Sequence, residues 1–368
     1  MSEKSFLFVC KYEAPYGGNF IASLCHLEKH LSSQGVTVYY AFPETVQKRE
    51  WFSLFHENRH VLFVKPNGTV SLAKQLLSYI DQYGISLLYV HFGYMASARL
   101  CALRRKNLKL VLHQHSDFSG GKKVSFMKRI KRFIVNRMDS LLGSRLRQIY
   151  IGTTVTKGRN GTIIPNAFTS ERFSRETLSR EEQRKRMDLT DSDILVILFG
   201  WSPYVKGVDI AVDAVHALQQ KGKTNIKLAI IGGRDYTEDK MYDWIFTHTQ
   251  CRQKESWLYY LEPTEDVFRY HKASDIMLSA SRSEGFSYSI LEALYSGKRC
   301  VISNIEGTKW AAKYSSVLSF ESENPLDCAD VIYDISEKAI NPETVASEVQ
   351  KEYNIQTWTD SVSSILFF

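Results

Sequence analysis

The feature that most narrows the folds open to this chain is a repeated alternation. Short β-like runs are separated by amphipathic stretches of helical period. In the first half the runs are SFLFVC, VTVYYA, HVLFV, SLLYVH, LKLVLHQH, DSLLG and TIIP; in the second they are DILVILFG, IKLAIIGG, DIMLSAS and RCVIS. Between them lie stretches such as FIASLCHLEKHLSSQG and GVDIAVDAVHALQQKG, each closed by a glycine. Strand–helix–strand alternation of this kind is the mark of parallel βαβ units, and it predicts an α/β architecture.

The series restarts once. After IIPNAF, a charged helix-like stretch over 176–188 precedes a new first strand, which puts a boundary near residue 168. A chain of 368 residues is long enough for two domains. The expectation is two Rossmann-like domains, 1–168 and 169–345, facing each other across a cleft. Ligands of open α/β sheets bind beyond the carboxyl ends of the strands, so the polar residues that matter should stand just after strands.

Composition is that of an ordinary globular protein, 44% hydrophobic and 24% charged. Six scattered cysteines lack any C-x-x-C pair, which predicts buried free thiols in a reducing compartment. The N-terminus does not read as a signal peptide and no run approaches the length of a spanning helix, so the expected location is cytoplasmic or peripheral. The net charge of +7 is unevenly placed. KKVSFMKRIKRFIVNRM (122–138) holds seven Lys and Arg residues and no acid, with Phe126, Ile130, Phe133 and Ile134 at helical spacing. Two readings stand: a solvated helix covering the core, or a helix resting on an anionic membrane surface. No reader motif accompanies the charge, so nucleic acid is not expected as a partner.

SRSEGFSYSILEALYSGK (281–298) sets Glu284 and Gly285 after a strand and Glu292 inside the helix that follows. The free N–H groups and dipole at that helix start, around Ser287 and Ser289, favour a phosphate. The two acids suit hydroxyls instead, sugar on one side and ribose on the other. FGWSPYVKGVD sets Lys206 directly after another strand, where a cation can neutralise a diphosphate leaving group. Gly17 and Gly18 follow the first strand in a turn that allows close backbone approach. LVLHQHSDF leaves His113, His115 and Asp117 at a strand end, as a local network or a cleft contact; with no third ligand evident, zinc is not expected.

With these residues in place, the chain resembles the family-four retaining glycosyltransferases of the GT-B fold over nearly its whole length. The matches fall in order: the Gly-Gly loop; a strand ending in His115; IIPNAFTSERF, like the family's interdomain segment; FGWSPYVKGVD, like its lysine-glycine loop; the E-x7-E motif at Glu284 and Glu292; and NIQTWTDSVSSIL, like its closing helix. The resemblance implies that a helix over about 346–368 packs back on the first domain. It implies Glu284 on the donor sugar, Glu292 on the ribose and Lys206 on the diphosphate, with the backbone at Phe286, Ser287 and Tyr288 on the distal phosphate. Gly18 and His115 would meet the donor from the first domain. No metal or cofactor is implied, because protein cations and the helix end take the charge. The sequence departs from the family at Trp201, where an arginine is usual, and Arg282 or Arg234 could stand in; Ala167 replaces a glycine.

The function expected is transfer of a sugar from a nucleotide-diphosphate sugar, UDP-type, to a glycan or lipid-linked glycan acceptor in surface-polysaccharide synthesis. A GT-B sugar-nucleotide epimerase and a catalytically silent glycan- or lipid-binding module are the alternatives.

Overall fold

The structure, a computed structural model, describes residues 4–14, 16–56, 59–115, 126–152, 161–169, 178–233 and 235–368. Asp117, Lys122, Lys123 and Arg234 lie outside the described residues, as does the side chain of Lys128.

The chain forms two compact units, 1–167 with 355–368, and 168–354. The first holds seven parallel strands: β1 (Lys4–Cys10), β2 (Val36–Pro43), β3 (His60–Val64), β4 (Ile85–His91), β5 (Lys109–Gln114), β6 (Leu146–Tyr150) and β7 (Thr162–Ile163). Their order is β3-β2-β1-β4-β5-β6-β7. The second holds β8 (Ile194–Phe199), β9 (Ile226–Ile231), β10 (Leu258–Leu261), β11 (Ile276–Ser279), β12 (Arg299–Ser303) and β13 (Val317–Phe320), ordered β10-β9-β8-β11-β12-β13. Both sheets are doubly wound. Each reverses its winding between its first and fourth strands, β1 and β4 in one and β8 and β11 in the other, and that switch point is where such sheets receive ligands. The strands are buried on both faces: Leu7, Phe8 and Val9 in β1 and Leu195, Val196 and Ile197 in β8 are all fully covered. Each such aliphatic side chain contributes about 1.5–3 kcal/mol through burial.

The expected run DSLLG is not a strand. It ends the helix Phe126–Leu142, where Asp139 pairs with the buried Arg99 at 2.6 Å and ties this turn to the helix Met95–Arg104. The strand itself follows at LRQIY. LYYL and VLSF, too short to show a pattern, are β10 and β13.

The C-terminal segment is two helices rather than one. Pro342–Glu352 packs on the helix Tyr288–Tyr295 inside the second unit. Tyr353 then anchors the turn against Trp310 and Phe286, and its carbonyl accepts from the Phe168 amide at 3.0 Å. Only Ile355–Leu366 belongs to the first unit, where it packs on the helix Gly18–Ser33 and buries Trp358, Val362 and Leu366.

The helix Phe126–Leu142 joins the core only at its end, through Leu142; the apolar residues of the expected face are exposed. Phe126 is 74% exposed, Phe133 67% and Ile134 51%. No described helix is long and apolar enough to cross a membrane. None of the six cysteines forms a disulfide, and all but Cys25 are buried.

Candidate active site

In the second unit the loops after β8 and β11 are stitched together at the switch point. A short helix, Pro203–Lys206, follows β8 and ends at Gly207, whose φ is +66°. A Cβ at Gly207 would lie 2.0 Å from the Ala280 carbonyl oxygen, just beyond β11, so only glycine lets the loops close. The Arg282 amide donates to the Val205 carbonyl at 2.8 Å across the same seam.

This closure sets Lys206 against Glu284. Lys206 Nζ donates to Glu284 Oε1 at 2.5 Å, and Ser281 Oγ donates to the same oxygen at 2.8 Å. The two charged side chains are only 13% and 12% exposed. Behind Glu284 stands Gly307, where a Cβ would fall 2.0 Å from the Glu284 carbonyl oxygen. The adjoining Phe286 ring is buried and stacks on Trp310 at 4.3 Å, which leaves only the backbone of Gly285 and Phe286 to meet a ligand.

The helix Tyr288–Tyr295 opens at Ser287, and no side-chain cap is made there. Ser287 Oγ instead pairs with Ser289 Oγ at 3.0 Å. A helix start that Ser287 does not cap, in the loop that holds Glu284 and Lys206 together at a switch point, can receive an anionic group. Glu292 is not a solvated helix acid. It is 6% exposed and sits 3.9 Å from Nε2 of the buried His271.

Two residues depart from the expected phosphate set. Trp201 is 59% exposed, with Lys206 Nζ 5.3 Å over its ring, so an aromatic face supports the lysine where a second cation was anticipated. Arg282, the expected stand-in, is already engaged. Its guanidinium forms two bonds to the Asp209 carboxylate, at 2.9 and 2.6 Å, and a third to the Tyr204 carbonyl at 2.6 Å. Its work is to hold the two loops together.

In the first unit Gly17 and Gly18 start the helix Gly18–Ser33 after β1. Gly18 has φ +56°, and a Cβ at Gly17 would press on Trp51 at 3.0 Å. His115 stands beyond β5, stacked on Phe92 at 4.0 Å, with its Nε2 hydrogen-bonded to His91 Nδ1 at 2.9 Å. Sequence reasoning missed three residues here: His91, Asp209 and Gly307. His91 closes the run SLLYVH and Asp209 lies in KGVD, so both had a signal in a strand end and a loop already singled out. Gly307 had none.

A cation, an uncapped helix start and a buried carboxylate at the switch point of a doubly wound sheet define a unit suited to an anionic, hydroxyl-bearing ligand. Residues 179–351 match the family model described as glycosyl transferases group 1, which supports a glycosyltransferase. Among solved structures the chain is similar to a glycosyltransferase from Rickettsia africae, at 15% identity over 100% of this chain and 98% of that one, with a TM-score of 0.77. It is also similar to HepE from Anabaena in complex with UDP, at 14% identity over 98% and 99% with a TM-score of 0.78. A third is sucrose-phosphate synthase from Thermosynechococcus elongatus, at 14% identity over 98% of both chains and a TM-score of 0.74. These likenesses show the GT-B fold. No curated protein sequence matches the chain.

Proposed function

We propose that the chain is a retaining, metal-independent glycosyltransferase of the family-four type, moving a hexose from a UDP-type nucleotide sugar to a glycan or lipid-linked glycan of surface-polysaccharide synthesis. The observation that carries it is the Lys206–Glu284 contact at the switch point of the second unit. Donor binding exchanges that contact for two others. Lys206 turns to the diphosphate and Glu284 accepts from the sugar hydroxyls, while the helix start at Ser287 takes the distal phosphate and Glu292 the ribose. The bond from the anomeric carbon to the phosphate oxygen breaks as the bond to the acceptor oxygen forms on the same face. The acceptor's proton passes to the departing phosphate oxygen, so no side chain acts as nucleophile. Lys206 lowers the barrier by meeting charge where it develops. The proposal extends to Gly17, Gly18 and His115, which stand at strand ends of the first unit where a doubly wound sheet meets its ligand. HepE, a structural neighbour, has been solved with UDP-glucose, which supports a UDP-type donor.

The exposed face of Phe126–Leu142 supports an acceptor at a membrane. Phe126, Phe133 and Ile134 stand open beside Arg129, Lys131 and Arg132, the composition of a helix lying in an anionic lipid interface. A panel of nucleotide sugars, followed by nucleotide release and product analysis, tests the function. Release from one donor, with the product retaining the anomeric configuration of that donor, is expected. An epimerised nucleotide sugar, or no release from any donor, would overturn it.

A further inference from the structure

The carboxyl ends of β4 and β5 carry a cluster of which the transferase reading uses only His115. His91 and His113 are register partners on the adjacent strands β4 and β5, and the two-residue period of a strand puts His115 on the same face as His113. One nitrogen from each of His91, His113 and His115 lies within 4.8 Å of the others. His91 and His113 are buried, at 0% and 1% exposure, and the Nε2 atom of each has no hydrogen-bond partner among the described residues. A buried polar atom left unpaired costs about 1–3 kcal/mol, and two of them at one spot call for something that binds there.

We propose that His91, His113 and His115 form a binding site for one divalent transition-metal ion of the zinc class. The ligand type is right: neutral imidazoles suit zinc and its neighbours, and three histidines with a fourth position left to solvent are an established zinc donor set. Tyr89 OH lies 2.6 Å from His113 Nδ1, the place an outer-shell partner of a metal-bound histidine takes; with Nδ1–H donating to Tyr89, Nε2 is free to face the ion. Phe20 and Phe92 wall the cluster at 4.0–5.5 Å from the His115 ring, and His115 is the least buried of the three. Tetrahedral zinc sets its nitrogens roughly 3.3 Å apart, so binding requires the rings, whose nitrogens lie within 4.8 Å of one another and of which His113 and His115 are stacked at 4.4 Å, to turn and close on the ion. The site lies in the first unit and shares His115 with the transferase reading, but its test reads metal binding rather than turnover, so the two readings fail separately.

The full chain, stripped with chelator, is titrated with Zn2+ by calorimetry and with Co2+ by absorption. One equivalent per chain is expected, with Co2+ bands of imidazole coordination and a melting temperature that rises with Zn2+. Tyr89→Phe, which keeps all three ligands, should weaken affinity about 10–100-fold, and His91→Asn with His113→Asn should abolish it. No saturable binding and no Co2+ bands in the wild-type chain would overturn the proposal without recourse to any variant. Undiminished binding in a folded double variant would place the ion elsewhere and overturn it equally.

Discussion

Lys206 Nζ and Glu284 Oε1 stand 2.5 Å apart, from loops after different strands, and each is the other's charge partner. A stabilising ion pair and a donor site make different demands on these residues, which lets mutagenesis separate them. Lys206→Met should leave the Glu284 carboxylate nearly buried and uncompensated, lowering the melting temperature. The double variant Lys206→Met with Glu284→Gln should recover most of that loss. Turnover should stay down by about 10²–10³-fold in both, since a charge-stabilising group is gone. Recovery of activity together with stability would reduce the pair to a structural role.

Gly207→Ala and Gly307→Ala test how the pair is placed. Each added Cβ meets a backbone oxygen at 2.0 Å, of Ala280 and Glu284 respectively, and Gly207 also has a left-handed backbone. We expect Gly207→Ala to destabilise by more than about 1 kcal/mol. Gly307→Ala should shift Glu284 and raise KM for the donor with a smaller change in melting temperature. Chemical denaturation and donor kinetics check both, and unchanged values for both variants would mean the loops relax freely.

The alternation of apolar runs and helical stretches predicted both doubly wound sheets, because strands buried on both faces must be apolar along their length. It failed where that constraint weakens. DSLLG is apolar enough for a strand, yet Asp139 finds its partner Arg99 only in the tertiary structure. LYYL and VLSF are too short to show a pattern. Of the site, residues beside glycine or in a spaced acid pair were legible: Lys206, Glu284 and Glu292. The role of Arg282 was not, since its partner Asp209 lies far off in sequence and nothing local says which way a guanidinium turns. His91 escaped for the same reason, since strand register, invisible in one dimension, sets it beside His113.

Acid should unfold the metal-free protein early. Burial holds the imidazoles of His91 and His115 well below their usual range and that of His113 down at about 3. Unfolded histidines titrate near 6.5, so below that pH the unfolded chain binds protons that the folded chain refuses. The stability tied to these groups is therefore fully present above about pH 6.5 and is lost as pH falls toward 3, at roughly 1 kcal/mol per pH unit for each. Melting temperatures between pH 7.5 and 5 should fall steeply in the wild type and less so in His113→Asn. Parallel curves would show that these rings do not govern acid stability.

The helix Phe126–Leu142 should bind anionic vesicles better than neutral ones, with binding that weakens as salt rises. Reversing Arg129, Lys131 and Arg132 to Glu should remove it, each cation near the surface being worth about 1 kcal/mol. Co-sedimentation with vesicles reads this directly. Equal binding to neutral vesicles, or binding unaffected by the reversals, would rule out the electrostatic attachment.

The central claim is that the second unit holds a nucleoside diphosphate between Lys206, the helix start at Ser287 and Glu292. Calorimetric titration of the full chain with UDP, GDP, ADP and dTDP tests it most directly. We predict one saturable site, tightest for UDP, weakened by Lys206→Ala and by Glu292→Ala while Tyr89→Phe binds as the wild type does. The absence of binding by every nucleotide, or affinities left unchanged in Lys206→Ala and Glu292→Ala, would contradict the account.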